Sequence, residues 1–294
     1  MTVVEGWFGT TEVDDVDLLK TPAKWISPLL KTAVIQNSGI NRTAYLIEKN
    51  EQGEILENPM VIGNKTEGAL INLIRSWGED YEKIKTDQYN EKTDKIFPFD
   101  STKKRSTAVV FNSNGTVRVY VKGATEVLLN DCGYYTDSNG NTIVMDKTMK
   151  TSLEVKINAM AVKALRTLML AHIDFPTEKD LPLDWKLNPP DDKDLICDAI
   201  VGIVDPLRSD VKEAVKCAQG AGVVVRMVTG ELFKEINGWK KMRQNRVKLG
   251  NIAFYKIALC VCPFIVVSYL LLSLSIATFF FLFLYFVLLV PSII

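Results

Sequence analysis

Residues 107–121 read TAVVFNSNGTVRVYV, two runs rich in β-branched side chains on either side of Asn114-Gly115. An Asn-Gly pair suits the positive φ angles of a tight hairpin turn, so the stretch predicts two antiparallel strands joined there. Towards the N-terminus, residues 1–9 alternate apolar and polar side chains as a strand does, and an acidic loop (Glu12, Asp14, Asp15, Asp17) follows. Apolar residues recur at helical spacing over 25–35, and residues 66–74 form a second helix candidate with Thr66 placed to cap it. A charged stretch, 79–95, separates that helix from the hairpin.

Towards the C-terminus, Asn139-Gly140 repeats the turn signal before 142–145. Residues 147–165 read as an amphipathic helix leading into a strand over 166–175. Four prolines (Pro176, Pro182, Pro189, Pro190) with five acidic residues then mark a linker or surface loop. Beyond it, an apolar strand over 199–204, the turn Asp205-Pro206-Leu207-Arg208, a helix opened by Ser209, and a second apolar strand over 223–228 predict one right-handed βαβ unit of a parallel sheet. Both strands are apolar on both faces, as in a covered parallel sheet. With most of such a sheet missing, residues 190–230 are expected to be the least stable part of the soluble body.

The 294 residues carry 35 basic and 35 acidic side chains, a balance that excludes nucleic-acid binding by bulk charge. The balance hides an asymmetry: residues 232–256 hold seven Lys or Arg against Glu235 alone, leaving 28 basic and 34 acidic groups in residues 1–231. Residues 257–294 then run 38 positions without a charged side chain, enough for one long tilted membrane span or two short ones. The basic collar places residues 1–256 on the cytosolic side of that membrane segment. Five cysteines, an odd number, are expected to be reduced there.

Two stretches suit a nucleotide pocket. Phe99 stands ahead of Lys103, Lys104 and Arg105, an aromatic beside cations that attract phosphate. A core phenylalanine before a solvated basic turn is the plain alternative. Lys122 precedes Gly123-Ala124, small residues that let a ligand approach the backbone, although a lone lysine at a strand end is ordinarily a surface residue. His172 has no second His, Cys or Asp at ligand spacing, so no metal or acid–base role is expected of it. The acidic loop lacks the alternating ligands of a calcium loop and reads as solvated surface.

Taken in order, NKTEGAL, FPFDSTKKRS, VKGATEVLL, ALRTLMLAHIDF, GIVDPLRSDV and GVVVRMVTG resemble the nucleotide-binding domain and the start of the returning phosphorylation domain of P-type cation ATPases, most nearly the plasma-membrane calcium pumps. The resemblance covers residues 1 to about 230. It implies an α/β fold: an antiparallel-sheet-plus-helices nucleotide-binding domain over 1–180 and a linker with a partial, haloacid-dehalogenase-like phosphorylation domain over 181–231. A juxtamembrane collar over 232–256 and a transmembrane helix or hairpin over 257–294 complete the expected organisation. It also implies ATP as ligand, with magnesium in the intact family, and gives roles to residues. Glu67 lies near the adenine and Phe99 stacks on it; Lys104 and Lys122 line the pocket, and Arg166 reaches the phosphates. Asp205 and Arg208 match the D-P-x-R hinge, and Thr229-Gly230 match T-G-D.

The departures are specific. Glu231 stands where T-G-D has its aspartate, and neither D-K-T-G-T nor T-G-D-G-x-N-D occurs, so the phosphoryl acceptor and the magnesium-holding aspartates are not among these residues. The expectation is a fragment that binds ATP without turning it over. Residues 232–237, LFKEIN, resemble F-N-E-I-N of the late membrane helices, with an unrelated tail or an out-of-frame translation as the alternative. The rival function is a non-enzymatic, membrane-tethered partner of intact pumps; a gene fragment without function is the third reading.

Overall fold

The computed structural model describes residues 1–22, 25–49, 52, 54–191, 193–207 and 210–225. The chain divides into two units, Met1–Leu207 and Arg208–Ile294. In the second unit the described element is one helix, Val211–Gly220.

The first unit is built on an antiparallel sheet whose strands run β2 (Thr11–Val13), β1 (Thr2–Phe8), β11 (Leu195–Val204), β10 (Arg166–Phe175), β7 (Val117–Ala124), β6 (Arg105–Phe111) and β5 (Lys95–Asp100) in spatial order. The hairpin read from Asn114-Gly115 lies inside this sheet, with Phe111 opposite Val117 and Arg105 opposite Gly123. Gly115 sits at φ 86°, a left-handed conformation that glycine adopts without strain. A shorter ribbon, β8 (Cys132–Thr136) with β9 (Thr142–Val144), joins the first residues of β11 in parallel. A separate hairpin pairs β3 (Tyr45–Lys49) with β4 (Ile55–Ile62).

Strand alternation gives the sheet two apolar faces, and helices cover both. Phe8, Tyr120, Leu170 and Val201 point into a core shared with α2 (Pro28–Ile40), α3 (Lys65–Ser76) and α4 (Tyr81–Gln88). Trp7, Val119, Val121, Met169 and Ile200 point the other way, into a core shared with α5 (Thr125–Asp131) and α6 (Lys147–Val162). A short α1 (Val16–Leu19) follows the acidic loop, its N-terminal N–H groups capped by Asp15. Pro28 occupies the first turn of α2, where its missing N–H is no loss, and Ser27 caps the helix.

Several expectations are corrected. The cap of α3 is Asn64, whose Oδ1 accepts from the Thr66 N–H at 2.9 Å, so the chain enters the helix two residues before Thr66. The charged stretch 79–95 holds α4, which buries only Tyr81 and Ile84; eight residues with so few apolar positions give a weak periodic signal. The strand expected to open a parallel βαβ unit is β11, which starts at Leu195 and runs antiparallel to β1 and β10. Val223–Val225 form no strand, and the remainder of the second expected strand lies outside the described residues. β11 is apolar on both faces because it is an interior strand covered on both sides, so it presents no free edge and the expected instability has no basis over 195–204. Among the described residues no helix is long and apolar enough to cross a membrane; the apolar run 257–294 and the collar 232–256 lie outside them.

Candidate functional site

One end of the sheet gathers the candidate residues. β10 starts there with Arg166, opposite Ile203 near the end of β11. β7 ends there with Lys122, Gly123 and Ala124, and β5 turns into β6 there between Asp100 and Arg105. Asp205, which is exposed, leaves β11 at the same end.

The turn between β5 and β6 has a local cause. Asp100 accepts from the backbone N–H groups of Thr102 (2.6 Å) and Lys103 (3.3 Å), which hold its carboxyl below the usual carboxylate range. Lys104 takes φ 57° to close the turn, and its carbonyl accepts from the Ala124 N–H at 3.0 Å. Gly123 makes this contact possible, since a Cβ there would lie 2.9 Å from Arg105 Cα and collide with the Lys104 carbonyl oxygen. Small residues after Lys122 therefore serve the packing of the turn as well as any ligand. Arg105 donates to the Asp131 carboxylate and the Asp191 carbonyl, and ties the long β10–β11 connection to the sheet.

Phe99 lies on β5 with 49% of its surface exposed. Half open to solvent, the ring is not a core side chain, and Lys104 in the turn that follows is exposed as well. β7 is two strands away, so at about 4.8 Å per strand Phe99 and Lys122 are roughly 10 Å apart. Arg166 is exposed and reaches the Thr66 hydroxyl (3.4 Å) in the first turn of α3.

Glu67 and Lys122 are different in kind: both are buried, 5% and 4% exposed, and they form an ion pair at 3.0 Å. The α2–β3 turn completes the arrangement. Glu67 Oε2 accepts from the Thr43 N–H (2.8 Å), the Ala44 N–H (2.9 Å) and the Thr43 hydroxyl (3.1 Å). Lys122 Nζ donates to the Asn41 carbonyl as well as to Glu67. Burial pushes the Glu67 carboxyl up, but the Lys122 charge and the two backbone N–H groups together outweigh it and hold the carboxyl below its ordinary value. Burial pulls the Lys122 ammonium down, with Glu67 opposing. An ammonium has three N–H groups. Two of the three on Lys122 are engaged within the protein.

The turn is itself anchored by residues that sequence reading missed. Asn37 on α2 and Asn41, which caps its C-terminus, are fully buried, and their amides donate to the sheet: Asn37 to the Val121 and Ala171 carbonyls, Asn41 to those of Ser106 and Tyr120. Both lie beyond the helix candidate read over 25–35, so no local pattern marked them. Arg42, also buried, donates to the Gly39 and Ala44 carbonyls and packs its guanidinium 4.5 Å from the Tyr81 ring centre.

Of the remaining candidates, Arg208, Thr229 and Gly230 lie outside the described residues. His172 has a partner from another strand: its Nδ1 lies 2.6 Å from Oδ2 of Asp198, a residue 1% exposed whose Oδ1 accepts from the Thr136 hydroxyl at 2.7 Å. Asp198 is skipped in the β10–β11 pairing, where Ala199 faces Leu170 and Cys197 faces Ala171, so its side chain is free to turn towards His172. Among the described residues no group of three or more His, Cys, Asp or Glu is placed to hold a metal ion. A groove of about 760 Å³ beside β3 and the α3–α4 connection includes none of the candidate residues in its lining.

Comparison with known proteins gives a consistent result. Residues 28–210 match the family model described as P-type ATPase, cytoplasmic domain N. The chain is 32% identical over 236 residues to plasma membrane calcium-transporting ATPase 1 of Gallus gallus, covering 79% of this chain and 19% of that protein. It is 33% identical over 239 residues to the Homo sapiens protein of the same name, covering 79% and 18%, and 32% identical over 232 residues to plasma membrane calcium-transporting ATPase 3 of Homo sapiens, with the same shares. The chain thus spans about a fifth of the length of these relatives.

Proposed function

Because the chain belongs to the P-type ATPases through their cytoplasmic domain N, we propose that Met1–Leu207 binds ATP at the end of the sheet where β7 ends and β10 begins. The observation that carries this reading is the combination of a half-exposed Phe99 with exposed Lys104 and Arg166 at the same end, next to the buried Glu67–Lys122 pair. Phe99 supplies a stacking surface for the base, worth about 1–3 kcal/mol by analogy with base–aromatic stacking in nucleic-acid proteins. Lys104 and Arg166 supply charge for the phosphates. Glu67 lies near the base and Lys122 lines the inner side of the pocket, the two held as an ion pair.

Phosphoryl transfer needs an acceptor in line with the γ-phosphate and a metal bridging the phosphates. Any magnesium here would arrive with the nucleotide, coordinated by its phosphates. D-K-T-G-T does not occur in the sequence, and the reaction assigned to these residues is binding rather than turnover. The apolar run 257–294 would tether the domain to a membrane, and calcium transport would belong to a complete pump. Acid-stable transfer of labelled γ-phosphate to an aspartate of this chain would overturn the binding-only assignment, whereas ATP binding without it is the expected result.

A further inference from the structure

The turn between β5 and β6 gives a role to a residue outside the candidate set: we propose that Asp100 positions Lys104 for the phosphates of a bound nucleotide. This rests on the reading that Lys104 meets those phosphates. Lys104 sits at φ 57°, a left-handed conformation that a lysine rarely adopts because its Cβ crowds the backbone. The surrounding bonds must hold it there. Two of them act on Lys104 itself: its N–H donates to the Asp100 carbonyl at 2.7 Å, and its own carbonyl accepts from the Ala124 N–H at 3.0 Å. The residues in between are tied back to the Asp100 carboxylate, whose Oδ1 accepts from the Thr102 N–H at 2.6 Å and the Lys103 N–H at 3.3 Å. Every one of these bonds except that from Ala124 ends on Asp100.

Neither the sheet nor the core can do this alone. β5 and β6 pair in register from Lys95 to Phe97, then slip before Asp100 meets Arg105, and Pro98 has no N–H to give to the ladder. Residues 98–104 are all exposed, so no packing fixes the turn. Without the carboxylate, the Thr102 and Lys103 N–H groups turn to water and Lys104 is free to leave the left-handed region. Its ammonium then has to be gathered on binding, and that ordering lowers the affinity. The charge of Asp100 acts in the opposite sense, since a carboxylate beside the phosphate-binding lysine repels the phosphates and its removal alone would tighten binding. A positioning role therefore predicts a loss where charge alone predicts a gain. Asp100 acts through Lys104 and is a positioning residue.

The test is displacement of a trinitrophenyl-ATP from the full chain by ATP, comparing the unsubstituted protein with Asp100→Ala, Asp100→Asn, Lys104→Ala and the double variant Asp100→Ala with Lys104→Ala. Alanine at 100 is expected to weaken ATP binding about three- to fivefold, whereas asparagine, whose side-chain oxygen accepts the same N–H groups, is expected to bind at least about half as tightly as the unsubstituted chain. In the Lys104→Ala background the change at 100 is expected to cost less than about 1.5-fold, because the residue that it positions is gone. Trypsin reads the turn without nucleotide: cleavage after Lys103 and Lys104 is expected to be faster in Asp100→Ala than in the unsubstituted and asparagine proteins. Undiminished ATP binding in Asp100→Ala, an asparagine variant as impaired as alanine, a full loss that persists without Lys104, or equal cleavage rates overturns the role of Asp100 while leaving ATP binding in place. Absence of ATP binding by the unsubstituted chain overturns the nucleotide reading itself, and this inference with it.

Discussion

Removing one half of the Glu67–Lys122 pair is expected to destabilise the first unit far more than an ordinary surface change. Glutamine at position 67 keeps the shape of the side chain but has one accepting oxygen where the carboxylate has two. If that oxygen keeps the Thr43 and Ala44 N–H groups, the amide NH₂ is turned on Lys122, whose buried charge is left with the Asn41 carbonyl. Breaking a buried ion pair from one side costs about 3–5 kcal/mol, set against a total stability of about 5–15 kcal/mol for a domain. Lys122→Met strands the carboxylate instead, although the turn still donates to it, so a loss of about 2–4 kcal/mol is expected. In the double variant both charges are gone, and the loss should fall short of the sum by about 2–3 kcal/mol. Urea unfolding followed by the fluorescence of the buried Trp7 and Trp77 measures all four proteins. Losses that add within about 0.5 kcal/mol would refute the claim that these side chains form one buried unit.

The same carboxylate gives a pH signature. Its folded-state value lies below its ordinary 4.5, so its stabilisation is complete above that value and is lost as pH falls through the depressed one; melting temperatures between pH 5 and 3 should drop more for the unsubstituted chain than for Glu67→Gln. Gly123→Ala should cost about 1–3 kcal/mol in urea unfolding, because the new methyl group meets the Lys104–Arg105 backbone. His172→Ala is expected to leave ATP affinity unchanged and lower stability by about 1–3 kcal/mol, because Asp198 is buried and loses a hydrogen-bonding partner; unchanged melting would show that the pairing is idle.

What the sequence revealed follows the range of the interactions. The hairpin at Asn114-Gly115, the strand over 166–175 and the helices around 66–74 and 147–165 are specified by neighbours within a few residues, and all appear close to their expected bounds. β11 was read as a strand but given the wrong partners, because an apolar run looks the same in a parallel and in a covered antiparallel sheet. Lys104 and Lys122 stood out beside an aromatic or small residues, whereas Glu67 and Arg166 were named only through the resemblance to P-type ATPases. That Glu67 and Lys122 are buried against each other, and that a turn 23 and 24 residues upstream of Glu67 holds its carboxylate, depends on long-range packing that no local pattern carries. Asp198 likewise reaches His172 only through a bulge between two strands.

The central claim, that the sheet end bearing Phe99 and Lys122 is a nucleotide site, is tested most directly by titrating ATP into the full chain and its Phe99→Ala variant by calorimetry. The expected result is weak, saturable binding near 1 mM, equivalent to about 4 kcal/mol, since affinity in a whole pump also draws on residues outside domain N. Phe99→Ala should weaken it about tenfold with no change in melting temperature, because the ring is half exposed. No saturable heat up to about 10 mM ATP, or equal affinity in the two proteins, would contradict the assignment.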